Sequence, residues 1–507
     1  MKDGISTVQQ PISNIGPASK KAWTEKQKLI FRFAFIFFTI MSVPTDYGYY
    51  MMLLHFDWLN LNYRHLTELA AFFNPQFLNI YSESGFFGPA SYINWLLVSG
   101  IAIPGALVWT WLDRKRSSYH DLYYLVIVFA RYRVAYAGIS WGYKKLFVMQ
   151  MPEQFEAIWN TNLIDFLVKR LYWEVLGVAP VYEVWLGFAE FIAGFLLLFR
   201  RTTAVGAALA FVVFGNIAIS NHAYDIGEHV PSALMALLAL FVLWQYLPYI
   251  YRVLIKEENA IVPVYYPVLK QWQRWTRTGL KLVFNFVLIV LFAWYEVKAV
   301  SANDFYKLPN TPGLSNVSGV YEVKLFKRNG VEHPHNPLDT ARWQDVIFEK
   351  WSSMGVRYVN KPQQIAMFSA GSYPRVGEPY DGKLHFDWRG DLRRYHLEAN
   401  GTFSKEPKWP RDVKIDWEFA GMQGRTFYYY EADTVNHVLQ LMNKNRYHRE
   451  EKMVLEFTRP NSNTIILKGI DDRKDSLYIV LNKSDHQHPL LNKKINRRNQ
   501  QTGSTKR

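Results

Sequence analysis

The chain has no cysteine in 507 residues. This excludes disulfides, thiolate nucleophiles and cysteine-held zinc or iron–sulfur centres, so a redox role needs a cofactor that thiols do not hold. Charge is locally missing as well. Residues 93–112 and 230–251 contain no Asp, Glu, Lys or Arg, and each is long enough to cross a hydrocarbon core of roughly 30 Å as a helix. No GxGxxG, P-loop, HExxH or GxSxG stands in a strand–turn–helix context, which removes the usual nucleotide-binding, zinc-peptidase and serine-hydrolase readings.

What is present fits a polytopic membrane protein. The chain is 50% hydrophobic and 17% aromatic, with a formal charge of +15; its mean hydropathy of -0.11 is diluted by a polar C-terminal part. About seven spans are expected, near residues 29–53, 93–112, 122–148, 182–199, 203–220, 230–250 and 280–298. The connections "DRKRSS" (113–118), "RRTT" (200–203) and 251–281 are basic and fall on one side, which is expected to be cytoplasmic. Residues 46–92 and 150–181 hold more acid than base and suit the outer interface, giving an N-in, C-out topology. The polar N-terminus is too long for a secretory leader, so the first span is expected to target the chain to a bacterial inner membrane. The positive surplus lies in these connections and in a basic tail, so no nucleic-acid partner is expected.

Beyond residue 300 the pattern changes to short alternating blocks. Residues 319–330, 342–351, 383–388, 413–419, 452–457, 463–469 and 476–482 read as strands, while 432–445 has helical spacing. The implied fold class is an α-helical membrane bundle followed by an extracytoplasmic all-β barrel of lipocalin type. The expected organisation is a cytoplasmic segment (1–28), a helical domain (29–299), a periplasmic β domain (300–490) and a disordered tail (491–507).

Ionisable residues inside spans are costly and face the bundle interior. Counting about 1.5 Å per residue places Arg131 and Glu190 at similar depth, so they are expected to pair, either as a lock between helices or as part of a cavity. Lys144 and Lys145 fall near the outer interface, where lysine snorkels. The stretch "SNHAYDIGEHVPS" (220–232) forms the turn between two spans. His222, Asp225 and His229 would share one face of a continuous helix, but Gly227 and Pro231 argue for a break. The stretch reads first as a hydrogen-bonded turn, next as a proton-handling or quinone-headgroup site, and last as a metal site through His222 and His229.

Three ordered motifs carry a resemblance: "RYRVAYAGISWGYKKLFVMQMP" (131–152), "GFAEFIAGFLLLFRRTTAVGA" (187–207) and "NHAYDIGEHVPSALMALLALFVL" (221–243). Together they resemble the membrane core of the large DoxX-like proteins of Bacteroidetes-type bacteria, long members of which carry a C-terminal β domain opening on a "GxYEV" strand, similar to residues 319–323. The family's motif positions map to Arg131, Tyr132, Gly142, Lys145, Phe147, Ala189, Glu190, Arg200, Asn221, Tyr224 and Asp225. Trp141 stands where the family shows Tyr, and Gly227, Glu228 and His229 where it shows "PVK". Asn221, Tyr224 and Asp225 are therefore favoured over the histidines. The family takes its name from a subunit of a thiosulfate:quinone oxidoreductase, so the resemblance implies a redox- or quinone-associated component with a membrane redox partner. Candidate site residues are Arg131, Lys145, Glu190, Asn221, Tyr224 and Asp225. The alternative is a non-enzymatic lipid or small-molecule carrier, or an envelope assembly factor, whose β domain binds a ligand or partner.

Overall fold

The computed structural model describes residues 22–43, 50, 53–54, 58, 92–151, 154–224, 226, 229–262, 265, 267–301, 311–359, 422, 424–444 and 450–485. Helix α1 (Glu25–Ser42) opens on a capping box in which Thr24 Oγ1 accepts from Gln27 N at 3.2 Å and Gln27 Oε1 accepts from Thr24 N at 3.0 Å. Then follow α2 (Tyr92–Leu112), α3 (His120–Leu146), the single turn α4 (Glu156–Trp159) and α5 (Val168–Gly177). They are succeeded by α6 (Pro180–Leu198), α7 (Thr203–Ala223), α8 (His229–Trp244) and α9 (Leu247–Leu254). Last come α10 (Gln271–Asn285) and α11 (Phe292–Ser301), joined by one π-helical stretch, Phe286–Leu291.

Among the described residues, five helices are long and apolar enough to cross a membrane, and six if the bent pair α8–α9 counts as one span. The expected first span, 29–53, lies partly outside the described residues, and its described part does not qualify. Helix α1 is only 18 residues long and carries Glu25, Lys26, Lys28 and Arg32. Arg32 is buried, and its guanidinium donates to Tyr119 Oη at 2.7 Å, Thr110 Oγ1 at 2.7 Å and the Asp113 carbonyl at 3.2 Å. The expected single span over 230–250 is also broken, since α8 and α9 meet at 68°.

The C-terminal part is a closed barrel. Strands β1 (Gly319–Arg328), β2 (Val331–Glu332), β3 (Asp345–Phe348), β4 (Ser353–Arg357), β5 (Arg425–Asp433), β6 (Val438–Asn443), β7 (Lys452–Thr458), β8 (Thr464–Ile470) and β9 (Ser476–Lys483) pair antiparallel. Strand β1 pairs with both β3 and β9, while β2 pairs only with β1, so eight of the nine strands close the ring. Closure removes exposed sheet edges. Strand β7 alternates strictly, with Met453, Leu455 and Phe457 inward. The described interior is packed with side chains such as Phe326, Phe348, Leu439, Leu455, Leu467 and Ile479, each fully buried. This filled interior costs about 2–5 kcal/mol per leucine truncated to alanine.

The helix expected over 432–445 is instead a hairpin. Strand β5 runs into it, and Asp433 Oδ1 accepts from the backbone N–H groups of Val435 and Asn436, both at 2.9 Å, while His437 takes φ 58°. The Asx turn and left-handed residue reverse the chain before a helical turn can form. The strands expected over 383–388 and 413–419 and the tail 491–507 lie outside the described residues.

The connection after α3 seats the barrel. Glu349, following β3, accepts from the first N–H groups of α4, Glu156 at 3.2 Å and Ala157 at 2.8 Å. Phe155, Ala157 and Ile158 pack there against Ile347, Trp351, Met422 and Phe427.

Candidate functional site

Glycine sets the geometry between α3 and α6. A Cβ on Gly142 would lie 2.8 Å from Phe191 N, one on Gly138 2.8 Å from the Glu190 carbonyl, and one on Gly187 2.7 Å from Leu146 N. These helices therefore touch backbone to backbone, as small residues permit. The register follows. Lys145 stands beside Gly187, and its Nζ lies 2.7 Å from Glu190 Oε1 and 2.9 Å from Oε2, with side-chain exposures of 9% and 2%.

The expected Arg131–Glu190 contact does not form. Arg131 lies seven residues, about two turns, before Gly138, toward the far end of the bundle, where Nη1 donates to Thr203 Oγ1 at 3.3 Å. Nor do the lysines snorkel. Lys144 and Lys145 are both buried, and beyond α3 the chain is tied to α6, where Glu183 accepts from Gln150 N at 3.0 Å and Met151 N at 2.9 Å. Lys144 lies over the Trp141 ring at 4.3 Å and within electrostatic reach of Glu296 on α11. Glu296 is 2% exposed, and its Oε2 has no hydrogen-bond partner among the described residues. Two adjacent lysines thus face buried carboxylates on two different helices.

Tyr172, on α5, extends this array. Its hydroxyl lies near Ser220, it is within electrostatic reach of Glu190, and its ring centroid is 4.8 Å from that of Tyr224. Burial raises its pKa above the ordinary phenol value, so it stays protonated at neutral pH. Tyr224 is 40% exposed. The array of Lys145, Glu190, Tyr172 and Tyr224 runs from the bundle interior toward the accessible end of α7, with Lys145–Glu190 as its hydrogen-bonded part. Next to it, Asn221 Nδ2 donates to Ser232 Oγ at 3.2 Å and its carbonyl accepts from Ile226 N at 2.9 Å, tying α7 to α8.

The helix does break between Ala223 and His229. Because α8 folds back on α7, the rings of His222 and His229 approach to 4.5 Å instead of the roughly 10 Å a continuous helix would impose. The Tyr92 hydroxyl is 2.8 Å from His222 Nε2. Among the described residues no group of three His, Asp or Glu side chains could hold a metal; Asp225 lies outside those residues. Of the candidates, the structure pairs Lys145 with Glu190, sets Tyr224 against Tyr172 and Asn221 against Ser232, and places Arg131 elsewhere.

Sequence reasoning missed Tyr172, Glu183 and Glu296 as parts of this region. Glu296 carried a signal, a lone carboxylate in the apolar "LFAWYEVKAV" (291–300). It also missed the buried pair Arg170–Glu174 on α5, at 2.5 Å, whose carboxylate further accepts from Gln154 Nε2 at 2.6 Å.

Comparison with known proteins adds one short likeness. A 72-residue stretch is 38% identical to "Uncharacterized protein YwoB" of Bacillus subtilis (strain 168), covering 14% of this chain. The chain spans less than half of that relative's length, 47%. No family model matches the chain, and no solved structure matches it.

Proposed function

We propose that the chain is a DoxX-like protein of a bacterial inner membrane, basic connections inside and barrel outside, acting as a redox- or quinone-associated component that moves protons. The observation carrying this reading is the buried Lys145–Glu190 pair, with Tyr172 within electrostatic reach of Glu190 and its ring against that of Tyr224. A quinone takes up two electrons and two protons on reduction, and proton transfer needs titratable groups placed within hydrogen-bond reach. The electrons would come from a membrane redox partner. The chain's part is to carry protons along the array and to orient the headgroup. For the latter, Tyr92, His222 and His229 cluster beside apolar helix ends and offer the ring and hydroxyl donors that two carbonyl acceptors require.

The carrier reading places a lipid or small molecule inside the barrel. The packed interior around Phe326, Leu455 and Ile479 weighs against it. The test is extraction and mass spectrometry of quinone from the full chain purified in mild detergent, comparing wild type with Glu190→Gln and Tyr172→Phe. Quinone in the wild type that falls in the variants supports the redox reading. Bulk lipid alone in all three hands the lead to the carrier or assembly reading.

A further inference from the structure

The end of the bundle opposite the barrel carries a feature that proton transfer does not use. The continuous helical run Gln271–Ser301 has 31 residues. At about 1.5 Å per residue it exceeds a hydrocarbon core of roughly 30 Å by some ten residues, so the first turns of α10 stand at headgroup level if the last turns reach the barrel side. Those turns are exposed all round: Trp272 is 63%, Trp275 70% and Leu280 67% accessible. Their chemistry is sorted by face. Arg274, Arg277 and Lys281 recur at i, i+3 and i+7, with Lys270 at the N-cap, whereas Trp272, Trp275 and Val283 lie on the opposite side.

The cationic face lies beside a second basic element. Lys281 Nζ sits 5.7 Å from the ring of Phe199, the residue before Arg200 and Arg201 at the α6–α7 corner. The strap leading into α10 is pinned to the same place: Arg200 Nη2 donates to the Tyr265 carbonyl at 2.6 Å, the Tyr265 hydroxyl bonds Asp121, and the Tyr265 ring stacks on His120 at 5.4 Å. None of Lys270, Arg274, Arg277, Lys281 and Arg201 forms an ion pair among the described residues. Exposed cations along one helix face with no ion pair among the described residues suit an anionic surface, and tryptophans on the other face anchor at the membrane–water interface.

We infer that Lys270, Arg274, Arg277 and Lys281 form a basic helix face that binds the phosphate headgroups of anionic phospholipids. The inference rests on the reading that these helices span a bilayer and is independent of quinone. The experiment is native mass spectrometry of the full chain in neutral detergent, offered phosphatidylglycerol and phosphatidylcholine of the same acyl length in equal amounts. Wild type retains the anionic lipid by about tenfold or more, and each cation removed from the set Arg274→Gln, Arg277→Gln, Lys281→Gln lowers that preference by about fivefold. Arg274→Lys with Arg277→Lys preserves it, as does the barrel control Lys324→Gln with Lys327→Gln. The single variants keep the test decisive if the triple variant does not fold. Equal retention of both lipids by wild type, an unchanged preference in the Gln variants, or an equal loss in the barrel control overturns the proposal. So does inorganic phosphate displacing the lipid at equal concentration, which would assign the site to the free anion. Quinone retention is unaffected by these substitutions, so failure here leaves that reading standing.

Discussion

Removing one member of the Lys145–Glu190 pair is predicted to cost far more than removing both. Two opposite charges about 2.8 Å apart attract by roughly 6 kcal/mol at an effective dielectric constant of about 20, and most of this is offset by their desolvation. With the carboxylate side chain 2% and the lysine side chain 9% exposed, Lys145→Met leaves a buried carboxylate and Glu190→Leu leaves a buried ammonium. Each single variant should lose about 3–5 kcal/mol. The double variant fills the same space with apolar atoms and should lose under about 1.5 kcal/mol. The coupling energy is therefore about 4 kcal/mol or more. Reversible unfolding of the full chain in mixed micelles measures all four corners of the cycle. Additive costs, or single variants within about 1 kcal/mol of wild type, would refute the claim that the pair is desolvated and mutually neutralised.

Other consequences follow from the same contacts. Gly142→Ala puts a methyl group 2.8 Å from Phe191 N and should cost about 1–3 kcal/mol in thermal stability, whereas Gly215→Ala, with nothing within 4 Å, should be neutral or stabilising by up to about 1 kcal/mol. Glu349→Ala leaves the Glu156 and Ala157 N–H groups without their acceptor and should cost about 1–3 kcal/mol, read as faster amide exchange over residues 155–160. Asp433 is held below its ordinary value of 3.8 by the backbone and side chain of Asn436. A lowered carboxylate contributes stability present above pH 3.8 and lost as pH falls through the folded value, so the protection of the Val435 and Asn436 amides, measured against their intrinsic exchange rate at each pH, should fall in acid and lose that dependence in Asp433→Ala.

Legibility in the sequence tracked how each segment is buried. Strands β7 and β9 alternate because one face meets the barrel interior and the other does not, and both stand where the period-two pattern put them. Strands β4 and β5 were missed because both faces are covered: the run Arg425–Tyr430 is buried throughout, with Phe427 under the α4 connection and Tyr428 and Tyr430 inside the barrel. No alternation survives such burial. In 432–445, Val435, Val438 and Met442 mimic a helical period, but Asp433 and Asn436 supply the turn chemistry that decides the local structure.

The membrane-type helices were legible from missing charge, and that the interior would hold acids and bases was legible from Arg131 and Glu190, whereas the burial of Lys145 was not. Nor was its pairing with Glu190. Counting residues from a span's end gives depth along one helix, whereas the register between helices comes from the close approach at Gly138, Gly142 and Gly187. Small residues spaced four apart on one helix, opposite a glycine on another, are the part of the amino-acid pattern that encodes such a register.

Redox-induced infrared difference spectroscopy of the purified chain with a reducible quinone tests proton handling most directly. If Glu190 gives up or accepts a proton as quinone is reduced, a carboxyl C=O band appears in the wild-type difference spectrum, vanishes in Glu190→Gln and shifts in Tyr172→Phe. A spectrum with no carboxyl change on quinone reduction, or one that Glu190→Gln leaves unaltered, would contradict proton transfer through this array.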